Sequence, residues 1–174
     1  MPNWCECYVK IKGEVDLIKD LYDKIKEKQE FLNILQPRPE DQEDNWYEWN
    51  VNNWGTKWDL TEDQISELEY TKIDSSMAKI EGYIMTAWAP PLDAFDNYIY
   101  DVEEEYDCEK EVDIKCIYWE PGMGFAGMYH NGDDVCERYG DMKKKEIIKN
   151  ETLQEVEEAF SDFTDEIEEY CDEE

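Results

Sequence analysis

Cys5-Glu6-Cys7-Tyr8-Val9-Lys10-Ile11-Lys12-Gly13, running on into VDLIKDLYDKIKEK at residues 15–28, is the stretch whose reading decides the fold. Cys7, Val9 and Ile11 alternate with Glu6, Tyr8 and Lys10, the period of a strand with one buried face. Gly13 ends that pattern. Val15, Ile18, Leu21, Tyr22 and Ile25 then recur at helical spacing, so residues about 15 to 28 are expected to form an amphipathic helix lying on the strand.

Working outward, the same change of period repeats. Leu68 to Ile73 reads as a strand, Asp74-Ser75-Ser76 as a turn, and Ala78, Ile80, Ile84, Thr86 and Trp88 as one face of a second strand. Pro90 and Pro91 suit a helix start, because proline's fixed torsion and missing donor cost least in the first turn. Leu92, Phe95, Ile99 and Val102 continue as an apolar stripe, and Val112 to Trp119 supplies another strand. The order strand, helix, strand, strand, helix, strand predicts an α+β fold of ferredoxin-like type: an antiparallel sheet with helices on one face. Beyond it, Phe125 to His130 and Val135 to Tyr139 flank Asn131-Gly132, a dipeptide that takes the positive torsions of a tight hairpin, so an extra hairpin is expected. Between the first helix and second strand, residues about 31–66 form a Trp- and Asn-rich stretch with no clean period, read as an ordered insertion. The chain thus divides into a domain over 1–140 and an acidic helical extension over 141–174 packed on it.

Charge dominates the composition. Asp and Glu number 47 against 17 Lys and Arg, a formal net charge of -30 on 174 residues. Solubility asks for only about 2 to 8 charges on a small domain, and self-repulsion of this size opposes compaction, so the acidity is expected to serve a function. Acidic disordered chains are poor in aromatic residues, whereas this one is 14% aromatic, with seven Trp and twelve Tyr. Neither a membrane-spanning run nor a secretory signal is read, and six cysteines in such a chain are expected as reduced thiols in a cytoplasmic protein.

The charge concentrates at the end. Residues 151–174 hold twelve carboxylates and no Lys or Arg, while Leu153, Val156, Phe160, Phe163, Ile167 and Tyr170 recur every three or four residues. One helix with an apolar seam is predicted, about 36 Å long at 1.5 Å per residue. Its charge spacing of about 3 Å is close to the roughly 3.4 Å between phosphates of a nucleic-acid strand.

Five blocks now carry a family resemblance: Met1-Pro2-Asn3-Trp4-Cys5; Pro37-Arg38-Pro39-Glu40; Asn53-Trp54-Gly55-Thr56-Lys57-Trp58-Asp59; Thr86-Ala87-Trp88-Ala89-Pro90-Pro91; and Glu120-Pro121-Gly122 with Phe125 and Gly127. Together they resemble the YubB-like ferredoxin-like domains of phages and plasmids, over residues 1 to about 140. The resemblance implies a ferredoxin-like fold and a mobile-element origin, and no reaction. Cys7 departs from it, standing where these proteins often have Asn, and the acidic helix after residue 150 lies outside it.

Other motifs lead to bland readings. Gly122-Met123-Gly124-Phe125-Ala126-Gly127 spells GxGxxG, but a strand is expected after it where a dinucleotide site needs a helix N-terminus. Cys5 and Cys7 point to one face of a strand without a second pair to complete a zinc site, so they read as packed thiols. Asp133 and Asp134 lack the ligand pattern of a calcium loop. His130, the single histidine, has Cys136 as its one candidate nucleophile and no assignable orienting acid. Trp46, Trp49, Trp54, Trp58 and Trp88 could stack bases, but the field opposes nucleic acid, and a second core under the insertion is the favoured reading.

The expectation is therefore a non-catalytic protein with no cofactor and no metal: a phage- or mobile-element-encoded counter-defence inhibitor, anti-CRISPR or anti-restriction in kind. It would act as a nucleic-acid mimic blocking the DNA- or RNA-binding groove of a host defence complex. The partner is that host nucleic-acid-binding protein; direct nucleic-acid and membrane binding are not expected, and a homodimer is left open. The partner-binding surface is expected at Glu155, Glu157, Glu158, Asp162, Asp165, Glu166, Glu168 and Glu169, with a second patch at Glu103, Glu104, Glu105 and Asp107. The alternatives are a protein-interaction module whose acidity only solubilises it and, further behind, an enzyme using carboxylates.

Overall fold

Strand β1 (Trp4–Glu14) alternates as its sequence demands, burying Cys5, Cys7, Val9 and Ile11. In the computed structural model, which describes residues 3–107 and 109–171, apart from the side chains of 169–171, β1 is an inner strand of the sheet. It pairs antiparallel with β3 (Met77–Ala87) on one side and β4 (Val112–Glu120) on the other. β2 (Glu69–Lys72) adds to β3; β5 (Phe125–His130) and β6 (Asp133–Glu137) extend the sheet beyond β4. The result is an α+β protein with a six-stranded sheet in the order β2-β3-β1-β4-β5-β6, every described pairing antiparallel.

Two turns follow from local chemistry. The Asp74 carboxylate accepts the backbone N–H groups of Ser76 (2.8 Å) and Met77 (2.9 Å), fixing the β2–β3 hairpin. Between β5 and β6, Asn131 (φ 45°) and Gly132 (φ 92°) occupy the two left-handed positions of the predicted tight turn.

One face of the sheet carries α1 (Val15–Lys28) and α5 (Leu92–Glu105). Leu17, Ile18, Leu21 and Ile25 of α1, with Ala94, Phe95 and Val102 of α5, join Cys7, Ile11, Ile114 and Cys116 in the larger core. The insertion packs into the same core through α2 (Leu32–Leu35), α3 (Trp46–Trp54) and α4 (Glu62–Glu67), with Leu32, Leu35, Trp54 and Ile65 buried. Asp59 ties it down: its carboxylate accepts N–H bonds from Phe31 (3.0 Å), Leu32 (2.8 Å) and Asn33 (2.9 Å) at the start of α2, and from Leu60 (2.7 Å).

The opposite face is covered by the chain's last part. A 3₁₀ turn at Tyr139–Asp141 leads into α6 (Lys144–Ile147), α7 (Glu151–Ala159) and α8 (Ser161–Cys171). Leu153, Val156, Phe160, Phe163 and Ile167 bury themselves against Ile117, Trp119 and Ala126. Because strand side chains alternate, β4 sends Cys116 and Tyr118 into one core and Ile117 and Trp119 into the other. Helices thus lie on both faces rather than one, with the acidic extension supplying the second layer. Among the described residues, no helix is long and apolar enough to cross a membrane.

Candidate functional site

The apolar seam docks as its spacing predicts, leaving the carboxylates between its members turned outward. Glu155, Glu157, Glu158, Asp162, Asp165 and Glu168 are exposed and Glu166 is half-buried. The side chain of Glu169, like that of Tyr170, lies outside the described residues. The expected single rod, however, is two helices. Phe160 takes an extended conformation (φ -131°, ψ 107°) between α7 and α8, placing its ring 5.7 Å from that of Tyr83 and 6.3 Å from that of Trp119. Burying an aromatic side chain stabilises by about 1.5–3 kcal/mol, enough to outweigh one continued helical turn. The charge therefore runs along segments of nine and eleven residues, roughly 14 and 17 Å long, not along one 36 Å line.

Basic groups punctuate this surface. Lys115 reaches Glu155 at 3.4 Å, and the exposed Lys143, Lys144, Lys145 and Lys149 stand just before α7. Lys144 lines the same shallow depression as Glu157 and Glu168. Glu103, Glu104, Glu105 and Asp107 are also exposed, at the end of α5, with no basic residue in its last turn. Burial, and next the charges of Glu104 and Glu105, push the nearby Asp101 carboxyl above its ordinary range. These acids sit on the α1/α5 side of the sheet, so the two predicted patches do not form one surface.

The structure assembles an acidic site that the sequence reading missed. Helices α7 and α8 cover the second face over β4 and β5, leaving Tyr83 (57% exposed) and Met85 (46% exposed) of β3 bare beside them. Over this floor lies a cleft of about 500 Å³, walled by Asp63, Gln64 and Glu67 of α4 and by Phe160 and Asp162 at the α7–α8 junction, with Glu6 of β1 beneath. Burial first, and the charge of Asp162 next among the raising causes, lift the Glu6 carboxyl above its usual value; Trp119 pulls the other way. Period-2 alternation puts Glu6, Tyr83 and Met85 on one face, but nothing in the sequence says that face is left half covered.

The Trp residues divide. Trp54 is buried and Trp49 half-buried, both in the main core and not in the second core expected beneath the insertion, while Trp46, Trp58 and Trp88 are exposed together with Trp4 and Tyr47. Lys57 Nζ lies 4.3 Å from the Trp58 ring centre, 5.4 Å from Trp88 and 5.5 Å from Tyr47, a cation held among three aromatic faces. Trp88 leaves the strand face assigned to it by adopting φ 72°, a left-handed conformation uncommon for a bulky residue. Several of the blocks quoted from the sequence meet here: the Asn3 carbonyl accepts from Trp88 N (2.9 Å), Thr56 Oγ1 donates to Ala87 O (2.9 Å), and Trp4 and Trp58 rings lie 6.2 Å apart.

The minor motifs resolve into structural roles. Buried Glu120 accepts N–H bonds from Gly122 (2.9 Å) and Met123 (2.6 Å), and β5 begins within the glycine run, at Phe125. His130 faces Asp113 at 2.5 Å, while strand register sets Cys136 opposite Gly127 and His130 opposite Asp133, so the conceivable Cys-His pair is not adjacent. Cys5, Cys7 and Cys116 are free, buried thiols, and burial pushes Cys5 and Cys116 up. Among the described residues, no cluster of three or more His, Cys, Asp or Glu is placed to hold a metal ion. No protein-family model, curated protein or solved structure matches the chain.

Proposed function

We propose that this chain is a counter-defence inhibitor encoded by a phage or other mobile element, acting in the host cytoplasm by presenting carboxylates where a host defence complex expects phosphates. The complex would be a nucleic-acid-binding one, a CRISPR effector or a restriction enzyme, and inhibition would be stoichiometric, by occupation of its groove without turnover. The observation that carries the reading is the net charge of -30 on an aromatic-rich, folded chain, with outward carboxylates on α7 and α8 held in place by a buried seam.

The finer lineage belongs to the same proposal. The succession β1-α1-β2-β3-α5-β4 with strand order β2-β3-β1-β4 supports a ferredoxin-like core, to which the insertion, β5, β6 and the C-terminal helices are additions. Kinship with the YubB-like domains rests on the five quoted blocks.

The test is a charge reversal. Replacing Glu155, Glu157, Glu158 and Asp165 together by Lys should abolish inhibition of the target while the thermal melt stays cooperative; retained inhibition would place the activity elsewhere. A second reading, a non-catalytic interaction module in which acidity only solubilises, is favoured by one observation, the exposed group of Trp4, Trp46, Tyr47, Trp58 and Trp88. Under it, that quadruple variant keeps full activity and Trp58→Ala loses it.

A further inference from the structure

We propose that the cleft between α4, β3 and the α7–α8 junction is a receptor for an arginine side chain presented by a protein partner. The partner's class rests on the function proposed above; the chemistry of the cleft stands apart from it.

Both walls are fixed to the floor, so the cleft is formed in advance of any ligand. Gln64 Nε2 donates to Met85 O at 3.1 Å and pins α4, while Tyr83 Oη donates to Ala159 O at 2.9 Å and pins the end of α7. A site that needs no reorganisation loses less free energy on binding. Tyr83 and Met85 of the floor and Phe160 of the wall are apolar or aromatic, whereas Glu6 beneath and Asp63, Glu67 and Asp162 in the walls are acidic, and none of the lining residues is basic. Four carboxylates thus face one cavity without a counter-charge among its lining groups. The strain is registered at Glu6, whose proton is held more tightly than usual by burial and by Asp162. Opposite Glu6 in the strand pairing stands Trp119, whose indole draws that carboxyl the other way, towards its charged form. On balance Glu6 is still harder to ionise than usual, and a cation above it would reverse that balance.

The shape selects the kind of cation. About 500 Å³ is far more than a bare ion fills, and the described carboxylates do not converge on a metal position. An aliphatic stem suits the Met85 and Tyr83 floor. A planar guanidinium can also stack on an aromatic face while forking two hydrogen bonds to a carboxylate, which an ammonium cannot do. Arginine in a peptide satisfies floor and rim together. Proteins that grip phosphate backbones present arginines for the same bidentate geometry, so the occupant is available on the class of partner already inferred.

The experiment uses the full chain and three short peptides that differ at one position: Ac-Gly-Arg-Gly-NH2, its lysine analogue, and its citrulline analogue, which keeps the shape and drops the charge. Binding is followed through the NMR signals of Glu6, Tyr83, Met85 and Ser161, with spermidine as a further titrant. The arginine peptide should shift these signals saturably, and the citrulline peptide should bind at least about ten-fold more weakly. The E6Q/D162N double variant should weaken the arginine peptide by a similar factor; E40Q/E43Q, which changes net charge equally at exposed acids outside the cleft, should not. Equal binding of arginine and citrulline, shifts spread over the whole acidic surface, or indifference to E6Q/D162N would each overturn the assignment. Spermidine matching or exceeding the arginine peptide at these signals would overturn it in favour of a free polyamine site. No nucleic-acid-binding protein enters this assay, so its failure leaves the mimicry reading standing, and failure of mimicry in the charge-reversal test leaves the cleft's selectivity standing.

Discussion

Asp59 illustrates how one side chain decides whether a stretch without periodicity is ordered. Four backbone N–H groups converge on its carboxylate, three of them from the first turn of α2, which sits 24 or more residues earlier and has no other cap. Asp59→Ala should destabilise the protein by about 3 kcal/mol in urea denaturation, with Asp59→Asn costing less because one acceptor oxygen remains. Glu6 shows the opposite economy. Its folded-state pKa is raised above the ordinary 4.5, first by burial and then by Asp162, so its contribution to stability is present below the unfolded value and lost as pH rises through the folded one. Ionised Glu6 therefore costs stability at neutral pH. E6Q should melt higher at pH 7, by on the order of 1 °C given its partial exposure, and the difference should close below about pH 4. An E6Q protein that melts lower at pH 7 would contradict this account of the cleft. In D162N the Glu6 carboxyl should titrate at lower pH, read by NMR.

At the scale of elements, sequence patterns locate the layers where a single period dominates. β1 and α1 lie where alternation and helical spacing place them, and Asn131-Gly132 makes its hairpin because Asn and Gly tolerate the two positive φ angles of a two-residue loop whose twist matches the strands. The broken C-terminal helix was not legible for a physical reason. Val156, Phe160 and Phe163 keep three- and four-residue spacings straight through the break, because both helices bury toward the same sheet face. Ser161-Asp162, residues suited to a helix start, were the available hint. Phe163 is the keystone of that layer, fully buried with Trp119 at 5.5 Å and Tyr139 at 5.1 Å. Phe163→Ala should cost about 3–5 kcal/mol by denaturant unfolding and loosen α8 from the sheet. Gly127 is needed for close approach: a Cβ there would run into the Val135 carbonyl and the Tyr118 ring. Gly127→Ala should push β6 outward, and amide exchange across the β5–β6 pairs should speed up while β1 and β3 stay protected.

Over the whole molecule, the charge was visible at once and its arrangement was not. Counting residues gives -30, and of the acids that the seam turns outward Glu155, Glu157, Glu158, Asp162, Asp165 and Glu168 are exposed while Glu166 is half-buried, but only folding decides that α5's acids fall on the other side of the sheet and that Glu6, Asp63, Glu67 and Asp162 meet. The last four come from three distant parts of the chain, β1, α4 and the α7–α8 junction, a juxtaposition no local pattern encodes. Self-repulsion of this magnitude should be felt globally: raising salt from about 10 mM to about 150 mM, which shortens the screening length from about 30 Å to about 8 Å, should raise the melting temperature by several degrees. The most direct measurement of the central claim is an equilibrium competition on the purified target with its own DNA or RNA bound. Mimicry predicts that the chain displaces the nucleic acid at one-to-one stoichiometry, with affinity falling at least about ten-fold between about 50 and about 200 mM salt. A ternary complex in which nucleic acid stays bound, with affinity unchanged across that range, would contradict it.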